Sequence, residues 1–459
     1  MIEKLLRPEL QDLIAVGDFE TFRDIIEDWE PADFAALVDD LSEGEQLAVF
    51  RNIDNEVAAA MFAHLDLPQQ YQLVTELPYD NVRNILNAMS PDDRTALLEG
   101  LPDETAEKLM RMLTREERTV AETLLSYPEN SVGRLMTPDF LAMKPDWAVR
   151  QVLDYIRRQA KDIETLDWIY VVDDDNRLID DIRIHEFLVA PLYATVRSIM
   201  DNQYVQLSVM DDQESAIESF RKYDRTVLPV VDQQGVMVGI VTVDDVLDVV
   251  EEEATEDIQK FGGQEALDEP YIDTPMLRLV QKRATWLVVL FVGEMMTATA
   301  MQYFEDELAR AIVLASFVPL IISSGGNSGS QAATLIIRAL ALGEVRLRDW
   351  WMVMRRELFS GAMLGLILGI IGFCRIAVWH TVFDFYPEHW FLLGLTVALS
   401  LICIVLFGTL TGSMLPFILK RLGLDPATSS APFVATLVDV TGLVVYFSIA
   451  LMILHGTML

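Results

Sequence analysis

The chain has 459 residues, 51% of them hydrophobic and 23% charged, with a net charge of −36. That length holds two to four domains, and so much acid excludes a nucleic-acid binder, because phosphate would be repelled. Two cysteines, Cys374 and Cys403, both in apolar stretches, and five scattered histidines exclude a disulfide framework and a zinc site.

The charge is unevenly spread. Residues 1–276 hold 23 Lys+Arg against 60 Asp+Glu, a net of −37, whereas residues 277–459 hold 12 against 11, a net of +1. A strongly acidic, soluble half therefore precedes a nearly neutral, apolar half. The first residues, Met1-Ile-Glu-Lys-Leu-Leu-Arg-Pro8, lack the apolar core of a signal peptide, so the acidic half is expected to stay in the cytoplasm. Acidity of this size favours cationic partners.

Residues 1–130 hide a repeat. Leu41, Ile53, Leu65, Leu77, Met89, Leu101 and Leu113 stand twelve apart. Most are followed by helix-start chemistry: Ser42, Asp54, Asp66-Leu-Pro68, Pro78, Ser90-Pro-Asp-Asp93, Pro102-Asp-Glu104 and Thr114-Arg-Glu-Glu117. The spacing predicts short helices stacked into an acidic α-superhelix, a docking or regulatory module.

Residues 131–250 carry a looser α/β duplication. Val132-Gly-Arg-Leu-Met-Thr-Pro138, a helix near 146–160, Trp168-Ile-Tyr-Val-Val-Asp173 and Arg177-Leu-Ile179 make the first unit. Val196-Arg-Ser-Ile-Met-Asp201, a helix near 212–223, Thr226-Val-Leu-Pro-Val-Val-Asp232 and Gly235-Val-Met-Val-Gly-Ile-Val-Thr242 make the second. The pattern resembles a tandem pair of CBS domains. The first unit departs from it, with Asp180-Asp181 where a glycine is usual. Residues 251–276 read as an acidic connecting helix, a Gly262-Gly263 break and a linker.

Five apolar spans follow, near 279–303, 311–342, 358–383, 390–419 and 432–455, each long enough to cross a bilayer. Arg278, Lys282 and Arg283 precede the first. Arg338, Arg346, Arg348, Arg355 and Arg356 separate the second from the third, and Lys420 and Arg421 the fourth from the fifth. The opposite loops carry Glu305-Asp306-Glu307 and Asp384…Glu388. The bias places the N-terminus in the cytoplasm and the C-terminus outside, in a multi-pass protein of the plasma (inner) membrane. Span two contains Ser323-Ser-Gly-Gly-Asn-Ser-Gly-Ser-Gln331, which has no Walker-type Gly-Lys-Ser/Thr ending. It is expected to be irregular and to line or support a pore, against the plainer reading that its glycines permit close helix packing.

The most informative residue is Asp439, a carboxylate inside the apolar fifth span. A charge at bilayer depth costs roughly 2.5–3.5 kcal/mol on insertion scales and is tolerated only against water, a cation or a partner group. Pro432, Ala435, Thr436, Asp439, Gly442 and Tyr446 form one small, polar helical stripe. One carboxylate with hydroxyls, Asn327 and backbone carbonyls suits a hydrated hard dication such as Mg2+. Ca2+ would want more direct oxygens, and soft metals His or Cys. Glu294 in span one is a second intramembrane acid, with Arg375 or a hydroxyl as candidate partner. Asp425 and Glu357 fall at the cytoplasmic mouth. Asp245, Asp248, Glu252 and Glu256 share one helical face, where they repel one another unless cations bridge them.

Glu253-Ala-Thr-Glu-Asp257-Ile, Ser323-Ser-Gly-Gly-Asn-Ser-Gly-Ser-Gln331 and Pro432-x-x-Ala-Thr-x-x-Asp439, in this order of segments, resemble the MgtE family of magnesium transporters over essentially the whole chain. The resemblance implies a multi-domain membrane protein: an α-superhelical N domain (1–130), α/β tandem CBS domains (131–250), a connecting or plug helix (251–276) and a five-helix transmembrane domain (277–459). It implies a homodimeric Mg2+ channel with its pore between the two fifth spans, lined by Ala435, Thr436, Asp439 and Asn327. It further implies closure by cytosolic Mg2+ at Asp212, Glu214, Asp224, Asp245, Asp248, Glu253, Glu256 and Asp257. ATP is a candidate ligand of the CBS pair. Three alternatives stay open: a transporter of Co2+ or Mn2+, a membrane-anchored cation-binding regulator, and an intramembrane enzyme, for which no second catalytic group is seen.

Overall fold

The computed structural model describes residues 2–26, 29–39, 41–159, 163–267, 271, 274–305, 311–386 and 389–457. It falls into two compact units, Met1–Glu253 and Ala254–Leu459.

The first unit opens with ten helices: α1 (Ile2–Val16), α2 (Phe19–Ile26), α3 (Pro31–Asp39), α4 (Glu43–Asn52), α5 (Asn55–Ala63), α6 (Leu67–Glu76), α7 (Tyr79–Ala88), α8 (Pro91–Gly100), α9 (Asp103–Met110) and α10 (Arg115–Leu125). The twelve-residue spacing marks the joints between them. Ile53, Leu77, Met89 and Leu101 are each the residue at which a helix ends, in extended backbone, with the side chain buried. One residue thus stops a helix and fills the core, and Ser42, Asp54, Asp66, Pro78, Ser90, Pro102 or Thr114 starts the next. Thr114 accepts the Glu117 amide, and Ser42 exchanges hydrogen bonds with Glu45. The buried joints and the inward helix faces form one continuous core from Leu10 to Ala121.

Two small sheets follow: β1 (Ala142–Met143), β2 (Trp168–Val172) and β3 (Leu178–Arg183), then β4 (Leu207–Ser208), β5 (Val227–Val231) and β6 (Met237–Thr242). In each, the first strand is parallel and the last antiparallel to the middle one, and the register shifts once in the long pair, at Val171/Val172 and at Val230/Val231. The helices are α11 (Val132–Leu135), α12 (Val149–Gln159), α13 (Ile184–Val189) and α14 (Gln213–Tyr223). Bridges Thr137–Ile240 and Arg177–Val236 clasp one unit to the other. The departure at Asp180-Asp181 is structural. Asp180 accepts the amides of Asp181, Asp201 and Asn202, while buried Asp181 pairs at 3.2 Å with Arg225, whose guanidinium lies 3.5 Å from the Trp168 ring centre.

α15 (Val243–Phe261) leads out of the second sheet, and the boundary between the two compact units falls within it. Beyond it stand α16 (Met276–Tyr303), α17 (Ile312–Ala315), α18 (Val318–Ala341), α19 (Trp350–Phe383), α20 (Trp390–Arg421) and α21 (Ala431–Leu454). They give five candidate spans, with α17 and α18 making the second. Two expectations change. The Gly-rich stretch of span two is regular helix, with Pro319 in its first turn. Its glycines serve close packing: a methyl on Gly408 or Gly412 of α20 would overlap the Gly325 or Gly329 carbonyl of α18. The third span begins at Trp350, so Arg355, Arg356 and Glu357 lie within its helix rather than before it. Asp306, Glu307 and Glu388, of the acidic loops, lie outside the described residues.

Candidate functional site

Four contacts fix α21 against its neighbours. Ser430 caps its start by accepting the Phe433 amide and also accepts the Trp286 indole N–H of α16 at 3.1 Å. One stage deeper, a methyl on Gly293 would meet Thr436 at 2.9 Å. From the other side, Ser330 of α18 donates to the Ala431 carbonyl at 3.3 Å, and a methyl on Gly326 would touch Ala435 and lie 4.0 Å from Asp439 Oδ1. Asp439 therefore stands within the span, half-buried, facing Gly326, a point on α18 that has no side chain. Glu294, one residue beyond Gly293, lies within electrostatic reach of it. Arg375, a candidate partner for Glu294, instead lies over the Phe317 and Trp379 rings, at 5.6 and 5.1 Å.

The small stripe on α21 divides. Pro432, Ala435, Thr436 and Asp439 are half-buried, whereas Gly442 and Tyr446 are buried, and the Tyr446 hydroxyl donates to the Leu314 carbonyl at 3.0 Å. A polar face missed from the sequence continues beside Asp439 on α18. Ser323, Asn327, Gln331, Thr334 and Arg338 recur at helical spacing and are all exposed, with Asn327 3.5 Å from Ser323. In hydrocarbon the Asn327 and Gln331 amides would be unsatisfied, whereas the Thr334 hydroxyl donates to the Ser330 carbonyl at 2.8 Å. The signal was legible in the i, i+4 spacing of the polar residues, but the glycines between them drew the reading toward backbone irregularity.

Asp425 begins the turn before α21. One oxygen accepts the Ala427 amide and the other accepts Lys260, each at 2.8 Å. Lys260 also pairs with Glu256 one turn back on α15. Burial works against the ammonium, but Asp425 and Glu256 outweigh it and hold Lys260 above its ordinary range. Next to it, Gly263 adopts a left-handed conformation (φ +76°), and a methyl there would meet Trp286 at 2.9 Å and Pro432 at 3.2 Å. Lys260 thus joins two residues expected to bind metal, Asp425 and Glu256. Asp257 is half-buried nearby on the same helix, and Glu357 half-buried on α19.

The first unit contains a convergence of acids. Asp245 caps the start of α15 by accepting the Thr242 hydroxyl at 2.6 Å, and burial together with Asp92 pushes its carboxyl up to about 8. Asp92, in the first turn of α8, is raised to about 6 by burial and by Asp93, and its Oδ1 is sealed from solvent without a hydrogen bond. Desolvation and the neighbouring Asp92, Asp244, Asp93 and Asp139 raise Glu164 to about 7, and Asp248 is raised by burial and by Asp244 and Asp93. Asp92, Asp93, Asp139 and Glu164 were missed in the sequence because their partners are far away in the chain. The other expected acids lie apart. Asp212 caps α14 and Asp224 closes its far end, both exposed. Gln213, between Asp212 and exposed Glu214, donates to Glu253 at 2.7 Å. Among the described residues, no three His, Cys, Asp or Glu side chains converge closely enough to cage a metal unaided.

Comparison with known proteins agrees with this layout. Residues 318–449 match the sequence family described as MgtE, divalent cation transporter; residues 29–130 match the MgtE intracellular N domain; residues 132–192 and 196–252 each match the CBS domain. A magnesium transporter MgtE of Thermus thermophilus is 40% identical over 99% of this chain and 100% of its own length. One of Bacillus subtilis is 28% identical over 97% and 96%. Among solved structures, the cytosolic domain of the Mg2+ channel MgtE in complex with ATP is 36% identical, with a TM-score of 0.51 over 53% of this chain and 100% of that one. The soluble part of a magnesium transporter gives 25% and 0.53 over 55% and 99%.

Proposed function

Since this chain belongs to the MgtE family, we propose that it carries Mg2+ across the membrane along a path past Asp439, and that cytosolic Mg2+ closes that path. The observation that carries the reading is the polar face at bilayer depth: half-buried Asp439, Thr436 and Ala435 beside exposed Asn327, Ser323, Gln331 and Thr334. Hydrocarbon cannot satisfy the Asp439 carboxylate or the Asn327 and Gln331 amides. Water between two copies of the chain can, so the ion path lies at a homodimer interface with one Asp439 from each copy. Two carboxylates with hydroxyls and amides offer few direct ligands and many outer-sphere acceptors, which suits an ion reluctant to shed its hydration shell. Gly326 adds no side-chain bulk next to Asp439. Glu294 adds negative potential at the same depth.

The basic ends of the spans set the topology, with the N-terminus in the cytoplasm and the C-terminus outside. Closure begins at the convergence of Asp92, Asp93, Glu164, Asp245 and Asp248. With no cation these acids repel and loosen the packing of α8 on α15; Mg2+ between them favours the packed state by its differential affinity for that state. Glu253, Asp212, Glu214 and Asp224 supply weaker sites around it. At the other end of α15, the Lys260 clamp on Asp425 and Glu256 holds the helix to the turn that starts span five. ATP is a ligand of the CBS pair on this reading, supported by the relative solved with it.

Flux into liposomes tests the reading. Asp439→Ala should abolish Mg2+ entry while the acidic half keeps its fold and its Mg2+ response. Undiminished entry would remove Asp439 from the path and leave the cation-binding regulator as the better account.

A further inference from the structure

α19 and α20, of 34 and 32 residues, are about 51 and 48 Å long at 1.5 Å per residue, against a hydrocarbon core of about 30 Å. Their basic ends therefore reach the headgroup level. Between those ends lies a cavity of about 540 Å³. Trp350, Met354, Met414 and Phe417 form its apolar wall, and Arg348 and Arg421 stand at its outer rim. Arg348 is only loosely paired, and Arg421 is not paired among the described residues. The nearest carboxylate to Arg348 is Asp349 at 3.8 Å, which also accepts the Arg346 amide, and among the described residues none pairs with Arg421. On α20 the apolar wall lies one to two turns deeper than Arg421. On α19 Met354 lies about two turns deeper than Arg348. From Arg421 to Met414 and from Arg348 to Met354 the order is thus cation outside, apolar wall inside, with Leu347 beside Arg348 at the rim. Trp350 and Trp351, with ring centres 5.6 Å apart, stand at the same level, where aromatic residues mark the interface.

We propose that this cavity binds an anionic phospholipid, its phosphate between Arg348 and Arg421 and the upper part of an acyl chain against Met354, Met414 and Phe417. A free phosphate would satisfy the arginines and leave the apolar wall wet. A zwitterionic lipid would fill the wall and bring its own cation to the arginines. Only an anionic amphiphile meets both halves, and basic pockets between spans at the cytoplasmic side are where such headgroups bind. The site rests on the chain's spanning a membrane and is independent of which ion it passes.

The test is native mass spectrometry of the full chain, delipidated and then titrated with phosphatidylglycerol, phosphatidylethanolamine or inorganic phosphate. Phosphatidylglycerol should be retained preferentially, and Arg348→Gln with Arg421→Gln should weaken it about thirtyfold, about fivefold for each arginine. Lys420→Gln, an adjacent charge outside the cavity, should leave retention unchanged and so separate a site from diffuse attraction. Unaltered elution and melting of the variants establish that they fold. Equal retention of the two lipids, no loss in the double variant, or full displacement by inorganic phosphate overturns the proposal. So does a disulfide between two copies carrying Ile418→Cys, which would show a second chain covering the cavity.

Discussion

Lys260 offers the sharpest test of how the connecting helix is held. Its ammonium is the sole cation among the described residues that bridges Glu256 and Asp425, and the three side chains are each about 30% exposed. An exposed pair would contribute up to about 1 kcal/mol. Here partial burial strengthens attraction, and removing the cation leaves two carboxylates facing each other, so the loss should be about 1–2 kcal/mol after allowance for solvent screening. Lys260→Met keeps the aliphatic stem and removes only the charge. In patch recordings at fixed internal Mg2+, the ratio of open to closed time should rise about five- to thirtyfold. Asp425→Asn retains the cap on Ala427 while losing the charge, and should act similarly. The double variant should be no worse than either single one, a coupling of about 1–2 kcal/mol in the cycle. A ratio unchanged within twofold, or strictly additive effects, would refute the clamp.

Other outcomes follow from the same geometry. Glu294→Gln should reduce Mg2+ flux about two- to fivefold, far less than loss of Asp439, because it removes potential but no contact; a flux as low as that of Asp439→Ala would make it a direct ligand. Gly412→Ala should sharply lower the yield of folded protein by forcing α18 from α20, a cost of at least about 1–3 kcal/mol, whereas Gly44→Ala, with open space around it, should not; both are read from elution profiles. Asp245 titrates near 8 in the folded chain against about 3.9 when unfolded, so its contribution is most favourable below about pH 4 and is lost as pH rises towards 8. Without Mg2+, melting temperature should fall between pH 6 and 8, by at most about 1.4 kcal/mol of stability per pH unit from this group. Asp245→Asn should flatten the slope, and an unchanged slope would sink the assignment.

What could be read from the sequence was whatever a local period encodes. The buried joints Leu41 to Leu113 announced the superhelix because each lies between two helices and fills the core, and Ile53, Leu77, Met89 and Leu101 also end one. The spans declared themselves by length, and Asp439 by its cost. Less legible were features set by distant neighbours. Asp92 and Asp93 read only as first-turn acids of α8, since nothing local says that Asp245 will lie against them. Lys260 carried no local signal, because its partner Asp425 is 165 residues away. The glycines of span two were taken for irregularity because Gly408 and Gly412, which need them, sit on another helix. The third span looked short because its charged first turns protrude beyond hydrocarbon.

The paired glycines of α18 and α20 have a mechanical corollary. Two backbones in carbonyl contact cannot slide without lifting apart, and Gly365 and Gly369 of α19 press on Ile402 and Ala398 of α20 in the same way. Spans two, three and four are therefore one stiff block. On the proposed reading, any widening of the ion path must be borne by the segment ahead of span five, where Gly423 turns left-handed and Asp425 to Ser430 carry the chain across, or by the whole block tilting against a second copy.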